Sequence, residues 1–118
     1  TLAERIRAAG SGFGGFLTPT GYGTRLAEGK ETRMIDGRGY VLEMPLRADI
    51  ALIRGERGDR WGNLTFHATA RNFNPVMAMG AKHSIAEVRE LTDDPVDPER
   101  VVTPGIFIQS VVEYGVRP

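Results

Sequence analysis

Cysteine is absent from the 118 residues of this chain, which excludes a disulfide framework, a thiolate metal site and a cysteine nucleophile, and suits a cytoplasmic protein. Charge of one sign is equally lacking. The 15 lysines and arginines balance the 15 aspartates and glutamates, so no electrostatic footprint marks a nucleic-acid or anionic-membrane partner, and neither is expected. No apolar run approaches the roughly 20 residues that span a bilayer. Glu4, Arg5 and Arg7 interrupt the first residues, where a signal peptide would be apolar. Histidine is scarce: His67 and His83 lie far apart, lack a partner pattern for metal binding or general-base work, and read as ordinary surface or edge residues. Internal repeats and low-complexity segments are missing too. What remains, 41% hydrophobic and 25% charged residues, is the composition of one soluble globular domain.

Glycine and proline, by contrast, are plentiful and divide the chain into readable segments. Leu2, Ile6 and Ala9 share one helical face ahead of Gly10, which predicts a short amphipathic helix over 2–9. Glycine density forbids regular structure from Gly10 to Gly15, and Pro19, Gly21 and Gly23 extend that loop to about Thr24. A loop of that length is more often functional than idle. Leu26 to Lys30 reads as one helical turn. Thr32 to Ile35 and Tyr40 to Met44 flank the turn signal Asp36-Gly-Arg-Gly39, as in a β-hairpin.

The nearly continuous apolar run from Ala48 to Ile53 predicts a strand covered on both faces. Leu64, Phe66 and Ala68 alternate with polar residues, as expected of a strand over 64–69 with one buried face. Asn74 and Pro75 predict a helix start, Asn capping free amides and Pro filling the first turn, and the helix through Lys82 should be largely buried. A strand over Ser84 to Leu91, a proline-bearing surface connection from Thr92 to Pro104 and a buried strand from Ile106 to Val112 complete the pattern. The succession predicts an α/β fold, a mixed β-sheet with flanking helices. It is an incomplete layer, because buried strands need covering helices that the chain does not contain.

Three segments are dense in residues that no hydrophobic core asks for: Phe16-Leu-Thr-Pro-Thr-Gly-Tyr-Gly-Thr24, Asp59-Arg-Trp-Gly-Asn63 and Ala70-Arg-Asn-Phe-Asn-Pro75. In the first, Thr20, Gly21 and Tyr22 are either a tight turn with an aromatic cover or a pocket wall, where glycine admits a ligand to the backbone and Tyr22 offers a ring and a hydroxyl. In the third, Arg71 and Asn72 precede the helix start near Asn74, where free amides and a partial positive charge favour an anion. Arg71 could equally tie its loop to a neighbouring strand. Asp59 to Asn63 is expected to be a strand-joining turn with Trp61 packed over a sheet edge, in preference to a ring stacked on adenine. Gly12-Phe-Gly14 lacks the flanking strand and helix of a phosphate cradle. Thr1 is followed by a helical pattern, which suits a fragment end better than an N-terminal nucleophile.

These segments, with Leu2-Ala-Glu-Arg-Ile-Arg-Ala-Ala-Gly10 and Thr103-Pro-Gly-Ile-Phe107, resemble in register the A subunit of the 3-oxoacid and 3-oxoadipate CoA-transferases, of CoA-transferase family I, from Thr1 to about Val112. The resemblance implies that 1–118 is the C-terminal part of one A-subunit domain whose N-terminal half, with a Gly-rich CoA-binding loop, is absent. It implies transfer of CoA from succinyl-CoA to a 3-oxo acid by ping-pong exchange through a glutamyl-CoA thioester. CoA is then a substrate, and no cofactor is called for. The family's nucleophilic Glu stands in a Ser-Glu-Asn-Gly-type motif of the partner B subunit, and no Glu here has that setting. The chain alone should therefore be inactive, with no catalytic residue of its own and with Thr20, Gly21, Tyr22, Arg71 and Asn72 as substrate-binding candidates. Glu43-Met-Pro-Leu46 and Asp59 to Leu64 look most like the 3-oxoadipate enzymes, with acetoacetate as the alternative acceptor. A non-enzymatic binding or scaffold module reusing the fold is the reading from a different class.

Overall fold

The computed structural model describes residues 1–114. Helix α1 (Leu2–Gly10) leads into a three-stranded antiparallel sheet of β1 (Phe16–Thr18), β2 (Thr32–Ile35) and β3 (Arg38–Glu43), in the order β1-β3-β2. A four-stranded mixed sheet follows, built from β4 (Ala48–Asp59), β5 (Leu64–Thr65), β6 (Ala81–Thr92) and β7 (Ser110–Glu113) in the order β5-β4-β6-β7. β4, β6 and β7 run parallel, and β5 is antiparallel to β4. Helix α2 (Asn74–Gly80) carries the chain from β5 to β6. The whole is elongated, 55 × 29 × 25 Å.

The hairpin forms as read, because Asp36 (φ 48°) and Gly37 (φ 75°) make a two-residue left-handed turn that matches strand twist. The predicted loop from Gly10 to Thr24 is corrected in its middle: Phe16, Leu17 and Thr18 pair with Glu43, Leu42 and Val41. Pairing partners far along the chain, invisible to a local pattern, override the glycines. The helical turn expected at 26–30 is a 3-10 turn at Arg25–Ala27, with Thr24 Oγ1 accepting from the Leu26 N–H.

The core lies between α2 and the mixed sheet, where Ile53, Leu64, Phe66 and Val88 pack with Ala51, Ala78, Ala86 and Ile108. Each large member contributes about 1.5–3 kcal/mol by leaving water. The alanines let α2 approach the strands closely. β4 is longer than its apolar run and, among the described residues, is covered on one face only: Ala51 and Ile53 are buried, while Ile50 and Leu52 face out. The strand expected over 64–69 stops at Thr65, and a 3-10 turn at Ala68–Arg71 takes its place. The buried strand expected over 106–112 is a 3-10 turn at Gly105–Phe107 and then β7, in which Val112 is exposed.

Two arrangements bind the parts together. Glu43, at the end of β3, is buried between Lys30 (2.7 Å) and Arg5 of α1 (3.7 Å), while the Arg5 Nε–H donates to the Met44 carbonyl and Leu46 N–H to the Arg5 carbonyl. The link between the sheets thus runs along α1, which itself packs on α2. In the mixed sheet Asp59 is fully buried, and its carboxylate accepts from Trp61 N–H, Asn63 N–H, Asn63 Nδ2 and Val96 N–H at 2.9–3.0 Å.

Candidate functional site

The Thr18 to Thr24 segment is fixed by its own short side chains. Thr18 Oγ1 accepts from Thr20 N–H (3.2 Å), the Pro19 carbonyl from Tyr22 N–H (3.2 Å), and the Gly21 carbonyl from both Thr24 N–H (3.1 Å) and Thr24 Oγ1–H (2.7 Å). Gly21 (φ 83°) and Gly23 (φ 73°) take up the left-handed conformations of this double turn. The Tyr22 ring lies over Gly39, where a Cβ has no room, and its hydroxyl sits 3.5 Å from Met34 Sδ. Thr20 is exposed, Gly21 is half-buried, and the Tyr22 side chain remains partly open to solvent. A rigid turn presenting hydroxyls beside an aromatic ring suits a pocket wall, although it also covers the small sheet.

Arg71 and Asn72 end the 3-10 turn ahead of α2. The Arg71 Nε–H donates to the Phe66 carbonyl (3.2 Å), so the structural tie is present. The Arg71 side chain also borders a cleft of about 830 Å³ lined by Glu56, Thr65, Phe66, Val96 and Arg100. Asn72 is exposed, and its N–H donates to the Thr69 carbonyl. The expected capping by Asn74 is not found: Phe73 is the N-cap residue without a side-chain bond, and Asn74 begins the helix. Its amide is used elsewhere, Oδ1 accepting from Arg54 N–H (3.0 Å) and Nδ2 donating to the Ala70 carbonyl (2.8 Å). Fastening the turn to β4 outcompetes the local cap. Pro75 occupies the first helical turn as read, and α2 ends at Gly80.

The structure brings Thr20, Gly21 and Tyr22 together on the antiparallel sheet, and Arg71 and Asn72 together beside the mixed sheet. It does not join the two groups. The Asp59 to Asn63 turn closes as expected, with Trp61 half-exposed at its tip and the Arg60 guanidinium 4.4 Å from the ring centroid. Burial opposes the charged form of Asp59, yet hydrogen bonds from the Asn63 amide and from the Val96, Asn63 and Trp61 N–H groups outweigh it and hold the carboxyl below its usual range. His67 and His83 are exposed. Among the described residues no three His, Cys, Asp or Glu side chains gather as a metal site, and no helix is long and apolar enough to cross a membrane.

Sequence reading missed the segment 92–102 as a cleft wall. Its signal was Val96, an apolar residue set between Pro95 and Asp97, which is buried and whose N–H feeds the Asp59 carboxylate. Of the glutamates, Glu56 and Glu99 border the cleft, Glu56 being paired with Arg89 at 3.1 Å. Glu43 is buried but held by two cations.

Comparison with known proteins places these features in a family. The family model described as Coenzyme A transferase matches residues 1–114. The chain is 66% identical over 112 residues to the A subunit of the 3-oxoadipate CoA-transferase of Pseudomonas putida, covering 94% of this chain and 48% of that protein. It is 59% identical to the protein of the same name in Acinetobacter baylyi, covering 99% of this chain and 52% of that one. It thus spans about half the length of these curated relatives. Among solved structures, an acyl-CoA transferase of Escherichia coli O157:H7, in a thioester complex with CoA, aligns with a TM-score of 0.81 at 21% identity, over 96% of this chain and 26% of that one. The AibA/AibB decarboxylase aligns with a TM-score of 0.76 at 26% identity, over 95% of this chain and 42% of that one. A family match across the whole described length means that this chain belongs to the coenzyme A transferase family.

Proposed function

We propose that this chain is the C-terminal half of the A subunit of a CoA-transferase that moves CoA from succinyl-CoA to 3-oxoadipate. The observation that carries the acceptor is the gradient of identity: 66% and 59% to A subunits named for 3-oxoadipate, against 54% to that of the succinyl-CoA:3-ketoacid coenzyme A transferase of Xanthomonas campestris. That last relative, named for a 3-ketoacid, supports the second reading, a 3-oxo acid acceptor of the acetoacetate type. The half-length span supports a remaining half of the same subunit, and the relatives' designation as A subunits supports a partner B subunit.

In this reading the nucleophile is a Glu carboxylate of the partner. It attacks the succinyl-CoA thioester, giving a mixed anhydride and CoA thiolate. The thiolate then attacks the glutamyl carbonyl and releases succinate, leaving a glutamyl-CoA thioester that the acceptor acid reverses. The present chain contributes walls. Thr20, Gly21 and Tyr22 form a rigid polar wall on the antiparallel sheet, separate from the Arg71 cleft. Arg71, anchored through Nε to Phe66, retains its terminal nitrogens for the acceptor's carboxylate, and Asn72 stands beside it. No cofactor is required beyond the CoA thioester substrate.

The test is kinetic, on the full-length A subunit in complex with its B subunit. With succinyl-CoA as donor, kcat/KM for 3-oxoadipate should exceed that for acetoacetate by about tenfold or more, the scale that one added substrate contact supplies. The reverse order would install the acetoacetate reading. Absence of transfer to either acid would remove both.

A further inference from the structure

A 3-oxoadipate acceptor carries two carboxylates, and CoA transfer uses only one of them. The reacting carboxylate must stay free to attack the glutamyl-CoA carbonyl, and a guanidinium gripping it through two hydrogen bonds would blunt that attack. The other carboxylate takes no part in bond making, so it can be held without loss. It is also the group that acetoacetate lacks. A site that prefers the diacid therefore needs a cation for the carboxylate that does not react.

The walls of the cleft beside Arg71 include two further arginines, Arg57 and Arg100. Arg57 is engaged across the sheet by Glu90 at 2.9 Å. Arg71 is fixed through Nε to the Phe66 carbonyl, which leaves its terminal nitrogens for a ligand. Arg100 closes the 3-10 turn Pro98–Arg100, whose backbone is pinned: Arg100 N–H donates to the Asp97 carbonyl (2.8 Å) and Glu99 N–H to Asp97 Oδ1 (2.9 Å). Its guanidinium is not pinned, since the side chain is 77% exposed and Nε stands 4.0 Å from Asp97 Oδ2, beyond a hydrogen bond. Of the acids around the cleft, Glu56 pairs with Arg89 at 3.1 Å and Asp97 caps its own turn. Asp94 and Glu99 are exposed, where water and salt screen their charge. Phe66 and Val96 add apolar wall for a methylene chain.

We propose that Arg100 is a specificity-determining residue of the acceptor site: its guanidinium leaves Asp97 to join Arg71 on the non-reacting carboxylate of the diacid. Arg71 is the fixed point and Arg100 the adjustable one. A pinned turn carrying a free side chain suits that task, because only the side chain has to move. The inference rests on reading the chain as part of a 3-oxoadipate CoA-transferase, and it adds the residue that tells the diacid from the monoacid.

The experiment uses the full-length A subunit in complex with its B subunit, as wild type, Arg100→Gln and Arg100→Lys. With succinyl-CoA as donor, kcat/KM is measured for 3-oxoadipate and for acetoacetate; in ping-pong exchange each value reports the acceptor's half-reaction. The ratio of the two should fall about tenfold in Arg100→Gln, the low end for a charge-assisted hydrogen bond because the side chain is exposed. Arg100→Lys should recover part of it. Calorimetric titration with adipate and with hexanoate, a diacid and a monoacid of equal length, requires no turnover, and the ratio of their affinities should fall about tenfold in Arg100→Gln. An unchanged ratio in either assay overturns the proposal, as does equal weakening for diacid and monoacid, the mark of a merely structural role. Adipate that fails to bind the wild type overturns it too. A complex that transfers CoA to neither acid, yet binds adipate in an Arg100-dependent way, would sink the CoA-transferase reading alone. A complex that prefers 3-oxoadipate equally as wild type and as Arg100→Gln would sink this inference alone.

Discussion

Asp59→Asn is the most informative perturbation of the fold, because the substitution keeps shape and removes only charge and one acceptor. The wild-type carboxylate satisfies four donors, two at each oxygen: Trp61 N–H and Asn63 N–H at Oδ1, Asn63 Nδ2 and Val96 N–H at Oδ2. An asparagine can serve only the first pair. Its NH2 would then face two other donors, leaving the buried Val96 N–H unpaired. Two hydrogen bonds to a charged group, at about 1.5–3 kcal/mol each, give a loss of about 3–6 kcal/mol, a large share of the roughly 5–15 kcal/mol that holds a domain folded. With a urea dependence of about 2 kcal/mol per molar, the unfolding midpoint of the full-length subunit should fall by about 1.5–3 M. The pH dependence supplies a second check. Because the folded carboxyl titrates below its unfolded value, its stabilisation is fully present above roughly pH 4 and is lost as pH falls through the lower folded value. The gap between wild type and variant should therefore close under acid. A stability within about 0.5 kcal/mol of wild type at pH 7, or a gap that widens under acid, would refute the four-donor account.

Three further outcomes follow from the same geometry. Arg71→Ala in the assembled enzyme should cost about 1.5–3 kcal/mol in kcat/KM with assembly intact, and Arg71→Lys should recover only part of it; a lowered melting temperature with normal kinetics would reduce Arg71 to its tie with Phe66. Glu43→Gln should destabilise the subunit by about 1–3 kcal/mol in urea titrations, below the full cost of breaking a buried ion pair because Lys30 and Arg5 are each about one-third exposed. Residues 1–118 expressed alone should aggregate through the open Ile50 and Leu52 face; a soluble monomer with a cooperative thermal transition would contradict this.

The parts of the fold legible in the sequence are those set by local chemistry. The 2–9 periodicity, the Asp36-Gly37 turn, the apolar start of β4 over Ala48 to Ile53 and the Pro75 helix start each carry their cause within a few residues. The parts missed depend on distant partners. β1 exists because β3 pairs with it, and Asn74 gives up capping because the Arg54 N–H and the Ala70 carbonyl claim its amide. The 92–102 wall holds its place partly through the bond from Val96 N–H to Asp59, some thirty-seven residues away. For the candidate site, residue types pointed to Tyr22 and Arg71. Their placement on two different sheets, and the anchoring of Arg71 to Phe66, could come only from the fold.

The central claim is that this chain supplies pocket walls while a partner supplies the nucleophile, and thioester trapping tests it most directly. The full-length A and B subunits are incubated with succinyl-CoA, reduced with borohydride or treated with hydroxylamine, and mapped by mass spectrometry. The account predicts a modified glutamate on the B subunit, with none within residues 1–118. A modified Glu56, Glu99 or any other glutamate of this chain would contradict it.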